Sequence, residues 1–197
     1  MTDKVKVKRL LSLGNGLLTT SMAAKSGIHR QQLVALEKAG VIERASRGIY
    51  VFPGEIDDKL FWLQQRAKKI IYSHETALFL HRMTNRTPNH YTITVPSSYK
   101  VSAAQKKDCK IYYINQDLIN LGKIKIQSGF GNQVITYNIE RTICDIIRSR
   151  NRIDSQIFTE TLKIFTRSKN KDLNRLYNYA KKFRVQKILH QYLEVLL

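Results

Sequence analysis

The chain has 197 residues, 43% of them apolar, with 34 lysines and arginines against 15 aspartates and glutamates and a net charge of +19. The apolar share is enough for one or two folded domains and excludes disorder as a description of the whole chain. The charge draws in polyanions, and nucleic acid is the polyanion most often met by such a surface.

Residues 4–13 read as a helix with Val7, Leu10 and Leu11 on one face, ended by Gly14-Asn15-Gly16. Thr20 or Ser21 is the expected N-cap of a short helix over residues 22–26, and Ser26-Gly27-Ile28 is a tight turn. A further helix runs from Gln31 to Ala39 and stops at Gly40. Val41–Arg44 and Ile49–Phe52 alternate as two strands around the turn Ser46-Arg47-Gly48. Helix, helix, turn, helix and hairpin in this order predict a winged helix-turn-helix over residues 1–54. On a helical wheel Leu33, Leu36 and Gly40 fall together, while Gln31, Val34, Ala35 and Lys38 lie opposite with Arg30 at the edge.

Pro53-Gly54-Glu55-Ile56-Asp57-Asp58 reads as a domain boundary, so residues 55–197 form the second domain. A helix is expected over 59–71, and another from a Ser73 cap to about Met83. Tyr91–Pro96 alternates as a half-buried strand, followed by strands at Lys110–Ile114, Ile124–Ile126 and Val134–Tyr137. Beyond Asn138, which caps a helix of about 139–150, three apolar stripes follow at helical spacing. They are Ile157, Phe158, Thr161, Leu162 and Phe165, then Leu173, Leu176, Tyr177, Ala180 and Phe183, then Ile188, Leu189, Tyr192, Leu193 and Leu196. The fold class is therefore α+β: a winged helix-turn-helix, then a mixed α/β domain with a small sheet and a C-terminal helical bundle.

The chemistry follows from residue type. An arginine reads guanine, a glutamine reads adenine, and the first turn of a recognition helix makes most base contacts. His29, Arg30, Gln31 and Gln32 are thus the candidate base readers, with Lys38 on the same helix. Arg44 and Arg47 flank the wing turn, and Thr20 and Ser21 sit where a helix N-terminus meets a phosphate. Residues 1–53 carry nine basic and three acidic groups, against 25 and 12 in residues 54–197. Arg148, Arg150, Arg152, Lys181, Lys182 and Arg184 are therefore candidate phosphate contacts of the second domain, although a solvated basic face is the bland alternative.

Other chemistries find little support. Cys109 and Cys144 belong to no CxxC or CxxH pattern, so neither a zinc site nor a disulfide framework is expected. Gly129-Phe130-Gly131 precedes a strand and makes a poor phosphate cradle, and no nucleophile–base pair or carboxylate pair stands out. No catalytic residue, metal or cofactor is expected. The amino terminus is too polar for a secretory signal and no apolar run is long enough to span a membrane, so the cytoplasm is the expected location.

Tyr72-Ser73-His74-Glu75-Thr76-Ala77-Leu78-Phe79-Leu80-His81, then Pro88 and Tyr91–Pro96, resemble the central region of AbiEi-type antitoxins of type IV abortive-infection systems. Tyr137-Asn138-Ile139-Glu140-Arg141-Thr142-Ile143-Cys144-Asp145 resembles a second block, and the amino-terminal helices with Gly48-Ile49-Tyr50 resemble the family's first domain. The resemblance implies an autorepressor that binds inverted-repeat operator DNA, two copies per operator, as a monomer or weak dimer. It also implies a cognate toxin similar to a nucleotidyltransferase, counteracted with or without a stable complex. Neutralisation by direct binding and a ligand-sensing winged-helix repressor are the alternatives. Arg141 and Asp145 form an i,i+4 pair that would specify the fold if buried. His74 and His81 read as core or interface histidines, not metal ligands.

Overall fold

The computed structural model describes residues 2–14, 16–54 and 58–196. The chain divides into two compact units, Met1–Trp62 and Leu63–Leu197. Expectations that rest on Asn15, on Glu55, Ile56 and Asp57, and on the Leu196 side chain lie outside the described residues.

The first unit opens with α1 (Asp3–Leu13), strand β1 (Leu17–Thr19) and α2 (Thr20–Lys25), followed by α3 (Arg30–Lys38), β2 (Glu43–Ser46) and β3 (Ile49–Val51). The three strands form an antiparallel sheet in the order β1-β3-β2. The short strand β1 was not anticipated, because three residues carry no readable period and pairing with β3 alone defines it. It moves the helix cap: the Thr19 hydroxyl, not that of Thr20 or Ser21, accepts the Met22 N–H at 3.1 Å. Val7, Leu11, Leu18, Ala23, Ile28, Leu33 and Ile42 close one core. Gly40 does not join that core as the wheel suggested. It is exposed at φ +66°, and the Val41 N–H reaches back to the Leu36 carbonyl at 2.9 Å. A left-handed residue with that hydrogen bond ends the helix, and glycine takes the conformation without a Cβ clash.

Helix α4 (Lys59–Arg66) spans the division between the units and ends earlier than the expected residue 71. Ile71 and Tyr72 instead form β4, which is followed by α5 (His74–Leu80), β5 (Tyr91–Pro96), α6 (Ala103–Asp108) and β6 (Cys109–Ile114). Next come β7 (Lys123–Gln127), β8 (Gln133–Tyr137), α7 (Ile139–Arg148), α8 (Ser155–Arg167), α9 (Leu173–Phe183) and α10 (Gln186–Leu196). The second sheet is mixed, in the order β6-β5-β4-β8-β7, with β5–β6 and β4–β8 parallel and the other pairs antiparallel. Strand β5 is internal and buried on both faces from Thr92 to Pro96, not half-buried. Its polar alternation is satisfied internally: the Thr92 amide donates to Thr76 Oγ1 at 2.8 Å, and the Thr94 hydroxyl donates to Ser73 Oγ at 2.8 Å.

Helix α7 is buried at every residue from Glu140 to Ile147, as befits a helix surrounded by others. The Asn138 side chain caps it by accepting the Arg141 N–H at 3.0 Å. Ile143, Ile146, Phe158, Leu162, Phe165, Leu176, Ala180 and Leu189 belong to the core around it. Two residues of the expected second stripe face outward: Leu173 is 40% exposed and Tyr177 is 54% exposed. The stripe that packs is Leu176, Ala180 and Phe183.

Candidate nucleic-acid interface

Leu33 is 1% exposed and Leu36 half-buried, so they fix the inner side of α3. Burying a leucine stabilises by about 1.5–3 kcal/mol, which is ample to hold a nine-residue helix by one face. Arg30, Gln31, Val34, Ala35 and Lys38 are all exposed on its other side, with Val34 at 39%. Two cations, a bifunctional amide and two small apolar groups thus share one surface. His29 is exposed at the N-cap position. Gln32 is set apart from these. Its Oε1 accepts the His29 amide and its Nε2 donates to Asp3 Oδ2 at 2.6 Å, so both ends of the amide are engaged within the unit. The tether fixes the start of α3 against α1.

Thr20 and Ser21 are exposed in the first turn of α2. The Thr20 N–H donates to the Gly48 carbonyl at 3.0 Å, which pins the β2–β3 turn beside that turn of α2. Arg47, exposed at the same turn, precedes Gly48 in that contact, while Arg44 is exposed on β2. Sequence spacing could not join residue 20 to residue 48, since the contact is a product of β1 pairing with β3.

The second unit treats its basic candidates differently from one another. Lys181 and Lys182 are exposed in the last turn of α9, where cations oppose the carbonyl end of the helix dipole. Arg184 ends that helix in the left-handed conformation at φ +56° and is exposed. The Arg150 guanidinium donates to the Ile147 carbonyl at 3.4 Å. Arg148 and Arg152 line a cavity of about 320 Å³ together with His74 and Tyr112. Lys110 and Tyr112 beside it were not singled out from the sequence. Their i,i+2 spacing on a strand was the available signal, because it places both on one face.

The two thiols are buried, and burial pushes Cys109 up to about 11 and Cys144 higher still. Neither is a thiolate near neutrality. Among the described residues no group of three His, Cys, Asp or Glu is placed to hold a metal, and no helix is long and apolar enough to cross a membrane.

Residues 5–53 match the model of a family described as "Transcriptional regulator, AbiEi antitoxin". This amino-terminal segment is of the AbiEi type. The AbiEi match ends at residue 53, so the blocks at 72–96 and 137–145 lie beyond it. Those blocks build β4, α5 and β5, and the start of α7. No curated protein matches the chain. Among solved structures, that of the RV2827C protein from Mycobacterium tuberculosis is similar, with a TM-score of 0.59 at 13% identity. The alignment covers 84% of this chain and 66% of that one, so the chain spans just under two thirds of that protein. At such identity the likeness is one of fold.

Proposed function

We propose that the chain is an antitoxin that represses its own operon, using residues 1–54 as a winged helix-turn-helix on inverted-repeat operator DNA. One observation carries this reading: within the AbiEi-type segment, α3 buries Leu33 and leaves Arg30, Gln31, Val34, Ala35 and Lys38 exposed on its outer side. In this reading α3 is the recognition helix. Arg30 and Gln31 read base edges from its first turn, and Lys38 meets a phosphate at its far end. The β2–β3 hairpin is the wing, with Arg44 and Arg47 tracking a phosphate strand, and Thr20 and Ser21 contribute hydroxyls beside it. His29 stands at the edge of the reading surface. Gln32 serves it indirectly, by holding the helix start. Two copies occupy one inverted repeat, and the opposing toxin resembles a nucleotidyltransferase. In the second unit Arg150, Lys181, Lys182 and Arg184 add phosphate contacts.

Footprinting on the DNA upstream of the chain's own gene tests the reading. Protection of an inverted repeat is expected, and Arg30→Ala or Gln31→Ala costs about 1–3 kcal/mol of specific binding each. Parent-like binding by both variants would put the reading helix elsewhere.

A further inference from the structure

The cavity of the second unit is walled by β6 and by the chain that leaves α7. Arg148 and Arg152 line it, and neither has an ion-pair partner among the described residues. The other charges around it are offset. Lys110 pairs with Glu75 at 3.1 Å, and Asp145, which also lines the cavity, pairs with Arg141 at 3.0 Å. Two positive charges are left over.

The lining is held in place by a chain of contacts. The Lys110 ammonium donates to the Arg152 carbonyl at 2.8 Å. The Arg152 guanidinium lies 4.6 Å from the centre of the Tyr112 ring. Tyr112 stacks on His74, with ring centres 3.5 Å apart and planes 14° from parallel. The His74 ring sits between hydroxyls, Nδ1 at 2.9 Å from Ser73 Oγ and Nε2 at 3.1 Å from Ser149 Oγ. His74 adopts φ +46°, a conformation that costs any residue with a Cβ and that concentrates at functional sites. Burial, with Lys110, Arg141, Arg148 and Arg152 adding to it, holds His74 well below the ordinary imidazole range. It is thus an uncharged strut and adds no charge of its own. The Tyr112 hydroxyl is buried, with the Lys110 ammonium as its polar neighbour, and Lys110 also serves Glu75 and Arg152.

We propose that this cavity binds a small phosphomonoester, with its phosphate between the Arg148 and Arg152 guanidiniums and the Ser149 hydroxyl. Guanidiniums bind phosphate oxygens in pairs, and a dianion matches the two surplus charges. The volume of about 320 Å³ suits a small metabolite. Tyr113, 48% exposed and also lining the cavity, offers a flat face to the body of the ligand. A DNA backbone phosphate carries the same oxygens. It is flanked by sugar on both sides, however, so a recessed cavity favours a terminal phosphate.

Calorimetric titration of the full chain with inorganic phosphate, ribose 5-phosphate and adenosine 5′-monophosphate tests this, with adenosine and ribose as controls. The monophosphate is expected to bind at least tenfold more tightly than adenosine. Arg148→Gln and Arg152→Gln each weaken it tenfold or more, while Arg150→Gln, which removes a neighbouring charge outside the lining, stays within twofold. The comparison of monophosphate with adenosine on the parent decides the matter even if a variant fails to fold. Absence of binding by all three phosphates at millimolar concentration would overturn the proposal. If those phosphates do not bind but Arg148→Gln and Arg152→Gln weaken duplex binding, the cation pair belongs to a backbone phosphate, and the small-ligand proposal falls as well.

Discussion

Arg141 heads the fully buried side chains by size, and its environment explains how a cation survives there. Its Nε donates to Asp145 Oδ2 at 3.0 Å, and one terminal nitrogen donates to the Leu118 and Leu121 carbonyls at 2.9 and 2.7 Å. The other terminal nitrogen has no hydrogen bond, but the guanidinium lies 4.0 Å from the Tyr137 ring centre and 4.2 Å from that of Phe183. Gly122 makes room for it. At φ +75° a Cβ there would stand 2.7 Å from the Arg141 Cβ. Arg141→Ala leaves Asp145 buried without its ion-pair partner and the Leu121 carbonyl open, while the Leu118 carbonyl keeps only the Leu121 N–H. The expected loss is about 3–5 kcal/mol in urea unfolding. Adding Asp145→Leu to Arg141→Met recovers most of that, since removing both charges removes the desolvation cost too. A single variant as stable as the parent would show that water reaches the pair. The i,i+4 spacing was visible in the sequence, but whether the pair is exposed and nearly neutral or buried and decisive depends on what surrounds α7.

At the level of elements, α2 shows how a small displacement reassigns roles. Thr19 caps the helix, and Thr20 and Ser21 are left with free surface. Thr19→Ala is expected to lower stability by about 1 kcal/mol, while Thr20→Ala and Ser21→Ala stay within about 0.5 kcal/mol and act on DNA binding. Thermal unfolding of the three variants separates the roles, and equal losses would mean that the cap is shared. Long periodic elements were readable: α1, α3, β5, β6, α7 and α8 lie within a few residues of their expected places. The elements β1, β4 and α6 were missed for a common reason. With three, two and six residues they are too short for a period to repeat readably, and β1 and β4 exist only through strands distant in sequence.

For the whole molecule, charge is the property that function leans on most. Leu63–Leu197 holds 24 basic and nine acidic residues, more excess than the AbiEi-type unit with ten and six. If Lys181, Lys182 and Arg184 meet phosphates, replacing all three with Gln lowers the slope of log K against log salt by up to about 2.7, near 0.9 per contact. A slope equal to the parent's would make them a solvated surface. Charge at this scale follows from composition, yet its use does not. Arg148 and Arg152 read alike beside Arg150 in sequence, and only the fold turns two of the three toward a cavity.

Composition, apolar spacing and turn chemistry were enough to determine the α+β class, the succession of three amino-terminal helices and a hairpin, and the outer face of α3, because each depends on neighbours within a few residues. The tertiary structure alone decided that Gln32 is occupied by Asp3, that Thr20 lies beside Gly48, and that His74, Tyr112 and Arg152 stack around one cavity. Those contacts join residues 28 to 40 positions apart, and their free energy comes from desolvation and packing that no local pattern encodes.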